Sequence, residues 1–589
     1  MNFTKTSFAD NEYPTKNFLQ SFRQFRSISF TDVEFGECQN FWIKLGADIE
    51  NLSLSFCDIT ERKLTLIIRQ VKNLKSLKIE NCRELFMSGR LFDDAMPPLV
   101  SVTTLSLAQN RYLSDSLFNR IIKVIPNLES LDLSGCHISF HKGLYKKFYP
   151  ASKEDEPSES VLTFHFLNKF IEREFEKIKE LNFNSTLIDG NTLIMLSEVK
   201  NLKLDALHLR SCDQLTNDGI ISLINVQTNL QHLDFTYSMR LTDQSLIKIC
   251  EVLKNLKILK LRRCRALTDL GVKNLIDLPQ LQILDISECE SITSAGILEG
   301  IASKNNPNIR ELYVSALNIC ENTIVKISEN FLNLRVLDLS FCFNHLNDFG
   351  VQMIFKNLLL LRELNLDLCD KISDAGLTGL GMKDKINDHE MDEEKSENDD
   401  SVKKGSVSQV PIQNQMINIQ QVDNGIHRMK ISLRTKAEEE IVKDAIRKKQ
   451  MMEMCEQINF EDQDSSNYSL SRLSGLLVFK IGRCNRISDV SLIYNLRLPE
   501  LKEINLSKCQ QISIVGIKAL VENCPSLEVI DLSECHNIND KCIELITRKL
   551  HRLAKLNIQG CHQLTDFSLD YIALYCTRIK VRIIKTNLS

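Results

Sequence analysis

LKILKLRRCRALTDLGV at Leu256–Val272, LQILDISECESITSAGI at Leu281–Ile297 and LEVIDLSECHNINDKCI at Leu527–Ile543 are one pattern written three times. Worked outward in both directions, the pattern recurs about every 26 residues, in sixteen frames between Leu52 and Ile558. A fixed period of this size marks a solenoid: one small unit is stacked many times, and no unit can bury its apolar face alone. Such architectures bind other chains along an extended surface.

Each frame predicts a strand, a turn and a helix. Leu259, Leu261 and Cys264 alternate to one side, as in a short strand. Thr268 stands where a helix should begin, with a hydroxyl able to accept from first-turn N–H groups. Asp269 then puts negative charge at the positive helix end. The pair returns as Thr242-Asp243, Ser373-Asp374, Ser488-Asp489 and Thr565-Asp566, so capping explains these aspartates better than catalysis or metal binding. Gly271, Gly296, Gly350, Gly376 and Gly516 share one offset, which predicts a helix packed too closely on its strand for a side chain. Neighbouring strands lie about 4.8 Å apart and packed helices about 8–10 Å. The expected fold is therefore an α/β horseshoe with a parallel sheet on the concave face and helices on the convex face.

Composition narrows the function. The 589 residues exceed a usual single core, which a solenoid permits because it grows in one dimension. A net charge of −4 gives no general electrostatic case for nucleic acid or anionic membrane. No apolar run has membrane-spanning length, and Met1–Ser27 lacks the basic start and apolar core of a secretory signal. Of nineteen cysteines, twelve fill the strand-end slot, from Cys57 to Cys561, and predict a ladder of small buried thiols. Close C-x-x-C pairs with further ligands are missing, so no metal or other cofactor is expected. So many free thiols point to a reducing compartment, cytoplasm or nucleus. Phosphate-loop, nucleophile-elbow and H-E-x-x-H signatures are also missing, so the chain reads as non-catalytic.

Two segments break the period. The fourth unit carries an insertion at about 141–160, after which Leu167, Ile171, Phe175 and Ile178 resume helical spacing. A larger insertion, 381–467, opens on the acidic DKINDHEMDEEKSENDDS, a composition that does not support a packed core, and contains a candidate helix at 437–455. The expected layout is a segment 1–26, repeats 27–380 opened by a degenerate unit at Ile28/Phe30/Val33, the insertion, then repeats 468–589 closed by Ile579–Ile584.

The frame C-x-x-[IL]-[TS]-D-x-[GS]-[LI] resembles the cysteine-containing leucine-rich repeats of F-box/LRR proteins and of the related antagonist-of-mitotic-exit family. Phe30–Trp42, FTDVEFGECQNFW, resembles the stretch that follows the F-box in that family. No F-box, a three-helix segment, is visible in Met1–Ser27, which holds a single leucine. The resemblance implies a substrate-recognition adaptor of an SCF-type ubiquitin ligase, serving proteasomal degradation and holding a target protein on the concave face. SCF adaptor and cullin partners would require an F-box upstream. The alternative is a repeat-only scaffold in a stable assembly, ciliary or cytoskeletal, with no ligase role.

The concave slots are mostly Ser, Asp, Asn or Lys. The middle of the chain departs from this with Arg210, Tyr237, Arg262, Arg263, Tyr313, Phe341 and Phe343, residue types that dominate protein interfaces. These seven are the candidate partner-binding residues. Asp234, Asp285, Asp338 and Asp367 on the same face argue against nucleic acid, and the expected state is a monomer.

Overall fold

The computed structural model describes residues 2–10, 24–87, 91–92, 96–139, 156–342, 346–380, 449–450, 452–453, 467–576 and 579–582. The chain forms two compact units. The first comprises Met1–Leu346, Asn357–Cys369 and Gly475–Ile481; the second comprises Asn347–Lys356, Asp370–Ser474 and Gly482–Ser589.

In the first unit a parallel ladder runs in chain order from Asn2–Phe8 through Ser27–Phe35 and onward to Glu363–Asn365 and Val478–Lys480. The register keeps the frame leucines in line, Leu207 beside Leu233, then Leu259, Leu284, Leu312, Leu337 and Leu364. The second unit repeats this with Glu503–Asn505, Val529–Asp531, Lys555–Asn557 and Lys580–Arg582. Helices such as Asn217–Val226 and Asp243–Val252 in the first unit, and Ile514–Asn523 and Asp540–Lys549 in the second, follow their strands. Each unit is an α/β solenoid whose core is the aligned leucine rows, almost completely buried.

The stack opens one strand earlier than Ile28/Phe30/Val33. Asn2–Phe8 pairs along its length with Ser27–Phe35, and Phe3 and Phe8 pack into a cluster with Phe30, Phe35, Phe41 and Trp42. Lys5 at φ 51° breaks the alternation of this strand, which hid it from a period-two reading.

The twelve ladder cysteines are buried, and at least ten of them donate backwards to a carbonyl of the preceding repeat. Cys136 Sγ lies 3.1 Å from Leu107 O, Cys264 Sγ 3.2 Å from Phe235 O and Cys289 Sγ 3.1 Å from Leu261 O. Burial pushes Cys289 up to about 12, so the slot holds a neutral thiol that can donate. Where the frame lacks cysteine, Asn110 does the same work with its amide, 2.6 Å from Ile79 O and 2.9 Å from Leu107 O.

Thr242 makes no side-chain capping bond, and elsewhere the Thr/Ser-Asp pair does more than cap its own helix. Thr268 Oγ1 accepts from Leu270 N at 3.2 Å, as capping requires. Its N–H and hydroxyl in turn donate to the Asp243 carboxylate one repeat back, at 2.8 and 2.6 Å. Thr293 meets Asp269 in the same way, and in the second unit Ser373 meets Asp348, Ser488 meets Asp374 and Ser513 meets Asp489. This carboxylate bridge corrects the glycine reading. A Cβ on Gly271 would stand 2.4 Å from Asp243 Oδ1, and one on Gly376 2.5 Å from Asp348 Oδ1. Gly271, Gly296, Gly376 and Gly516 make room for the neighbouring repeat's carboxylate rather than for a strand.

Asp115 applies the same bridge to the first insertion. Its carboxylate accepts from Thr163 N at 2.7 Å, Thr163 Oγ1 at 3.0 Å and Ser158 N at 3.2 Å, pinning the returning chain. The helix that follows is Phe164–Arg173, so Phe175 and Ile178 fall beyond its end. Most of the candidate helix 437–455 lies outside the described residues; Met452, like Tyr494, packs against Leu380 and Val490.

Candidate functional site

At the end of each strand the chain must turn sharply outward. An Asp or Asn after the first frame leucine accepts the N–H two residues on: Asp234 from Thr236 at 2.9 Å, Asp285 from Ser287 at 3.0 Å, Asp338 from Ser340 at 2.9 Å. The residue before the cysteine slot then adopts a left-handed conformation, with φ 65° at Tyr237, 60° at Arg263, 58° at Glu288, 57° at Ala316 and 62° at Phe341. Such a conformation costs a non-glycine residue about 1–2 kcal/mol. It is held by a second ladder: Tyr237 N donates to Arg262 O at 2.8 Å, Arg263 N to Ser287 O at 2.8 Å and Phe341 N to Asp367 O at 2.9 Å. The turn therefore sets one side chain per repeat in a row along the strand ends.

The row, with Tyr237 and Arg263 in it and Arg210 and Arg262 one position before it, brings four of the seven candidate residues together. The Tyr237 ring lies between two guanidinium groups, 5.6 Å from Arg210 and 5.2 Å from Arg263. Arg262 donates through Nε to Glu288 Oε1 at 2.8 Å, and its Nη2 meets the same oxygen. Arg263 Nη1 lies 3.8 Å from Glu288 Oε2. Glu288 thus closes the cluster, and a reading of residue types alone missed it. It stands one position before Cys289, as Arg263 does before Cys264, so the shared offset was the available signal. The arginines are consequently half-exposed and partly neutralised rather than a bare cationic pair.

The other three candidates are placed differently. Tyr313 sits on the open strand face between Asp285 and Asp338 in register, and its hydroxyl donates to Glu311 Oε2 at 3.0 Å. Burial and the Glu311 charge raise its phenol above the ordinary value. Phe341 lies in the left-handed row two repeats beyond Glu288 and is 45% exposed. Phe343 lies outside the described residues.

A second group on the same strand face went unread. His208 Nε2 is 3.0 Å from Glu180 Oε1, and the His208 and His232 rings meet edge to face at 4.4 Å. Burial, then the His208 and Lys260 charges, lowers His232 to about 4, and its Nε2 is buried without a hydrogen-bond partner. The spacing of one repeat was again the available signal.

Among the described residues no group of three or more His, Cys, Asp or Glu could hold a metal ion. None of the described helices is long and apolar enough to cross a membrane. The arrangement supplies aromatic faces, oriented guanidiniums and strand-end carbonyl and carboxylate acceptors, which is the chemistry of recognition.

The family model described as Leucine Rich repeat matches residues 124–139 and 358–381. F-box/LRR-repeat protein 4 of Bos taurus is 25% identical over 179 residues, 29% of this chain and 28% of that protein. Antagonist of mitotic exit network protein 1 of Candida albicans is 28% identical over 151 residues, 25% of this chain and 21% of that protein. The chain thus spans about a quarter of the length of these curated relatives. Among solved structures it is similar to a chain of the yeast Rad7 and Elc1 complex, with 16% identity, a TM-score of 0.43, and coverage of 72% of this chain and 88% of that one.

Proposed function

We propose that this leucine-rich-repeat protein is a non-catalytic adaptor that captures a target protein along the strand-end row of its first unit. The observation that carries the reading is the contiguous Arg210–Tyr237–Arg263–Glu288–Arg262 cluster, with Phe341 further along the row. Aromatic and arginine side chains held rigidly at a surface are the anchors of protein interfaces. The finer reading is that the captured target is presented to an SCF-type ubiquitin ligase in cytoplasm or nucleus. The partial likeness to F-box/LRR-repeat protein 4 supports it.

The test is affinity purification from cells with wild type and a Tyr237→Ala/Phe341→Ala double variant. Reversing Arg262 and Arg263 to Glu is a poorer probe, because it would set three carboxylates together around Glu288. Loss of the main partner by at least about tenfold is expected, in line with removal of interface anchors worth ~2 kcal/mol or more each. Where an F-box precedes the repeats in the full-length protein, SCF adaptor and cullin subunits should co-purify with both proteins. An unchanged partner list would overturn the row as the binding surface. Capture of the target without any ligase subunit would overturn the ligase reading in favour of a repeat-only scaffold.

A further inference from the structure

A cavity of about 590 Å³ opens on the strand-end side of the early repeats, well before the Tyr237 cluster in sequence. Its walls are built by the same left-handed row: Asn81 at φ 49°, Gln109 at 61° and Ser185 at 56° contribute side chains. Gly135, at φ 66°, occupies the row between Gln109 and Ser185 and contributes none. That missing side chain is what opens the space, since a Cβ there would already stand 3.1 Å from Gln109 Cγ. Arg83, Arg111 and Tyr112 complete the lining, with the Arg83 guanidinium 5.5 Å from the Tyr112 ring centre.

The charge of this cavity sets it apart. Several cations elsewhere in the chain meet carboxylates one repeat away, as Arg262 meets Glu288, Arg265 meets Glu290 and Lys75 meets Glu50. Among the described residues Arg83 and Arg111 make no ion pair and no carboxylate lines the cavity. The carboxylates on nearby strands are engaged: Glu80 accepts from Ser55 and Ser106 hydroxyls, and Asp132 also accepts from Ser106. The Asn110 amide is likewise consumed, by Ile79 O, Leu107 O and Cys82 N. What remains are two guanidinium forks and the neutral donors of Asn81, Gln109 and Ser185, arranged around an empty volume.

We propose that this cavity receives a phosphorylated side chain on a peptide segment of a protein partner. A phosphate monoester carries about −1.5 to −2 charge near neutral pH, with three strong acceptor oxygens. It matches two guanidiniums and several neutral donors better than a single carboxylate does. The volume falls in the roughly 300–1,000 Å³ range that accommodates a ligand group together with its flanks. Gly135, Ser185, Ser211 and Tyr237 are successive positions of one row, so a peptide lying along the strand ends reaches the cavity without a change of direction. The inference stands whether or not the chain serves a ligase.

The experiment is fluorescence anisotropy of the full chain with labelled degenerate peptides carrying a central phosphoserine, phosphothreonine or phosphotyrosine. Unphosphorylated and glutamate-substituted versions are run alongside, and inorganic phosphate is the competitor. At least one phosphorylated pool should bind more than about tenfold tighter than its unphosphorylated and glutamate versions, a gap of the size that charge-assisted contacts supply. Arg83→Ala and Arg111→Ala should each remove most of that gap. Arg83→Lys, which keeps charge but loses the fork, should fall between. Arg69→Ala, on the exposed side of the helix Glu61–Gln70, should change nothing. Tyr237→Ala should retain phosphopeptide binding, which separates this site from the proposed target surface. Equal affinity for phosphorylated and unphosphorylated pools overturns the proposal. So does full binding by folded Arg83→Ala and Arg111→Ala proteins, or binding of inorganic phosphate alone with no phosphorylated pool bound above its unphosphorylated counterpart, which would mark an adventitious ion only.

Discussion

Replacing Gly271 by alanine should destabilise this protein, although the same change inside an ordinary helix stabilises it. Alanine has the better helix propensity, by about 1 kcal/mol, and restricts the unfolded chain. Here the new Cβ would stand 2.4 Å from Asp243 Oδ1 and 3.2 Å from Asp243 Cα. A comfortable C···O contact is about 3.3–3.6 Å, so the carboxylate must retreat by roughly 1 Å. Retreat breaks its bonds to Thr268 N, at 2.8 Å, and to Thr268 Oγ1, at 2.6 Å. Hydrogen bonds to an ionised group contribute about 1.5–3 kcal/mol each. Losing most of both outweighs the helix gain and leaves a net destabilisation of about 2 kcal/mol. Urea denaturation of wild type, Gly271→Ala, Asp243→Ala and the double variant closes a thermodynamic cycle. With the carboxylate removed, Gly271→Ala should become neutral or stabilising by about 0.5–1 kcal/mol. A Gly271→Ala protein more stable than wild type while Asp243 is intact would refute the bridge.

Three further outcomes are expected. Cys289→Asp should unfold the surrounding repeats, because it buries a charge beside Leu261 O; Cys289→Ser should cost only about 1–3 kcal/mol, both read by chemical denaturation. Ala316→Gly should stabilise by about 0.5–1 kcal/mol, the reverse of its usual sign, because φ 57° strains any residue with a Cβ; a lower melting temperature would contradict this. Finally, His232 is held near 4 against an ordinary 6.5, so between those values the unfolded chain binds the extra proton and stability falls as pH drops. Asp115, raised by burial from 3.8 to about 6, acts in the opposite sense over much of that window. The informative quantity is therefore the wild-type minus His232→Asn difference in melting temperature, which should shrink from pH 6.5 to pH 4.

What the sequence disclosed was whatever every repeat demands in the same currency of residue type. Leucines at Leu259 and Leu261, the cysteine at Cys264 and the Thr268-Asp269 pair recur because each core slot accepts few side chains. The left-handed row was invisible for the opposite reason. Its backbone is imposed by the turn and the ladder N–H, so Phe341, Leu368, Arg483 and Glu534 all serve, and no residue type marks it. The site was half legible. Tyr237 and the arginines stood out as unusual types, but Glu288 did not, because its importance lies in which neighbour it faces. Phe3 and Phe8 were overlooked because a distorted strand and phenylalanines in place of leucines broke the pattern being followed.

The carboxylate bridge also says how the stack treats chain length. Asp348 meets Ser373 at 2.7 Å through both N–H and hydroxyl, across 25 positions of sequence. Asp374 meets Ser488 at 3.0 and 2.7 Å across 114 positions. The contact is indifferent to how much polypeptide intervenes, since its geometry is fixed by two helix starts and not by the connection. That makes the stretch between Leu380 and Asn467 a ready port for engineering. A folded cargo domain could be spliced into it, or the gene divided there so that two separately expressed polypeptides reunite through the Asp374–Ser488 bridge and report their reunion.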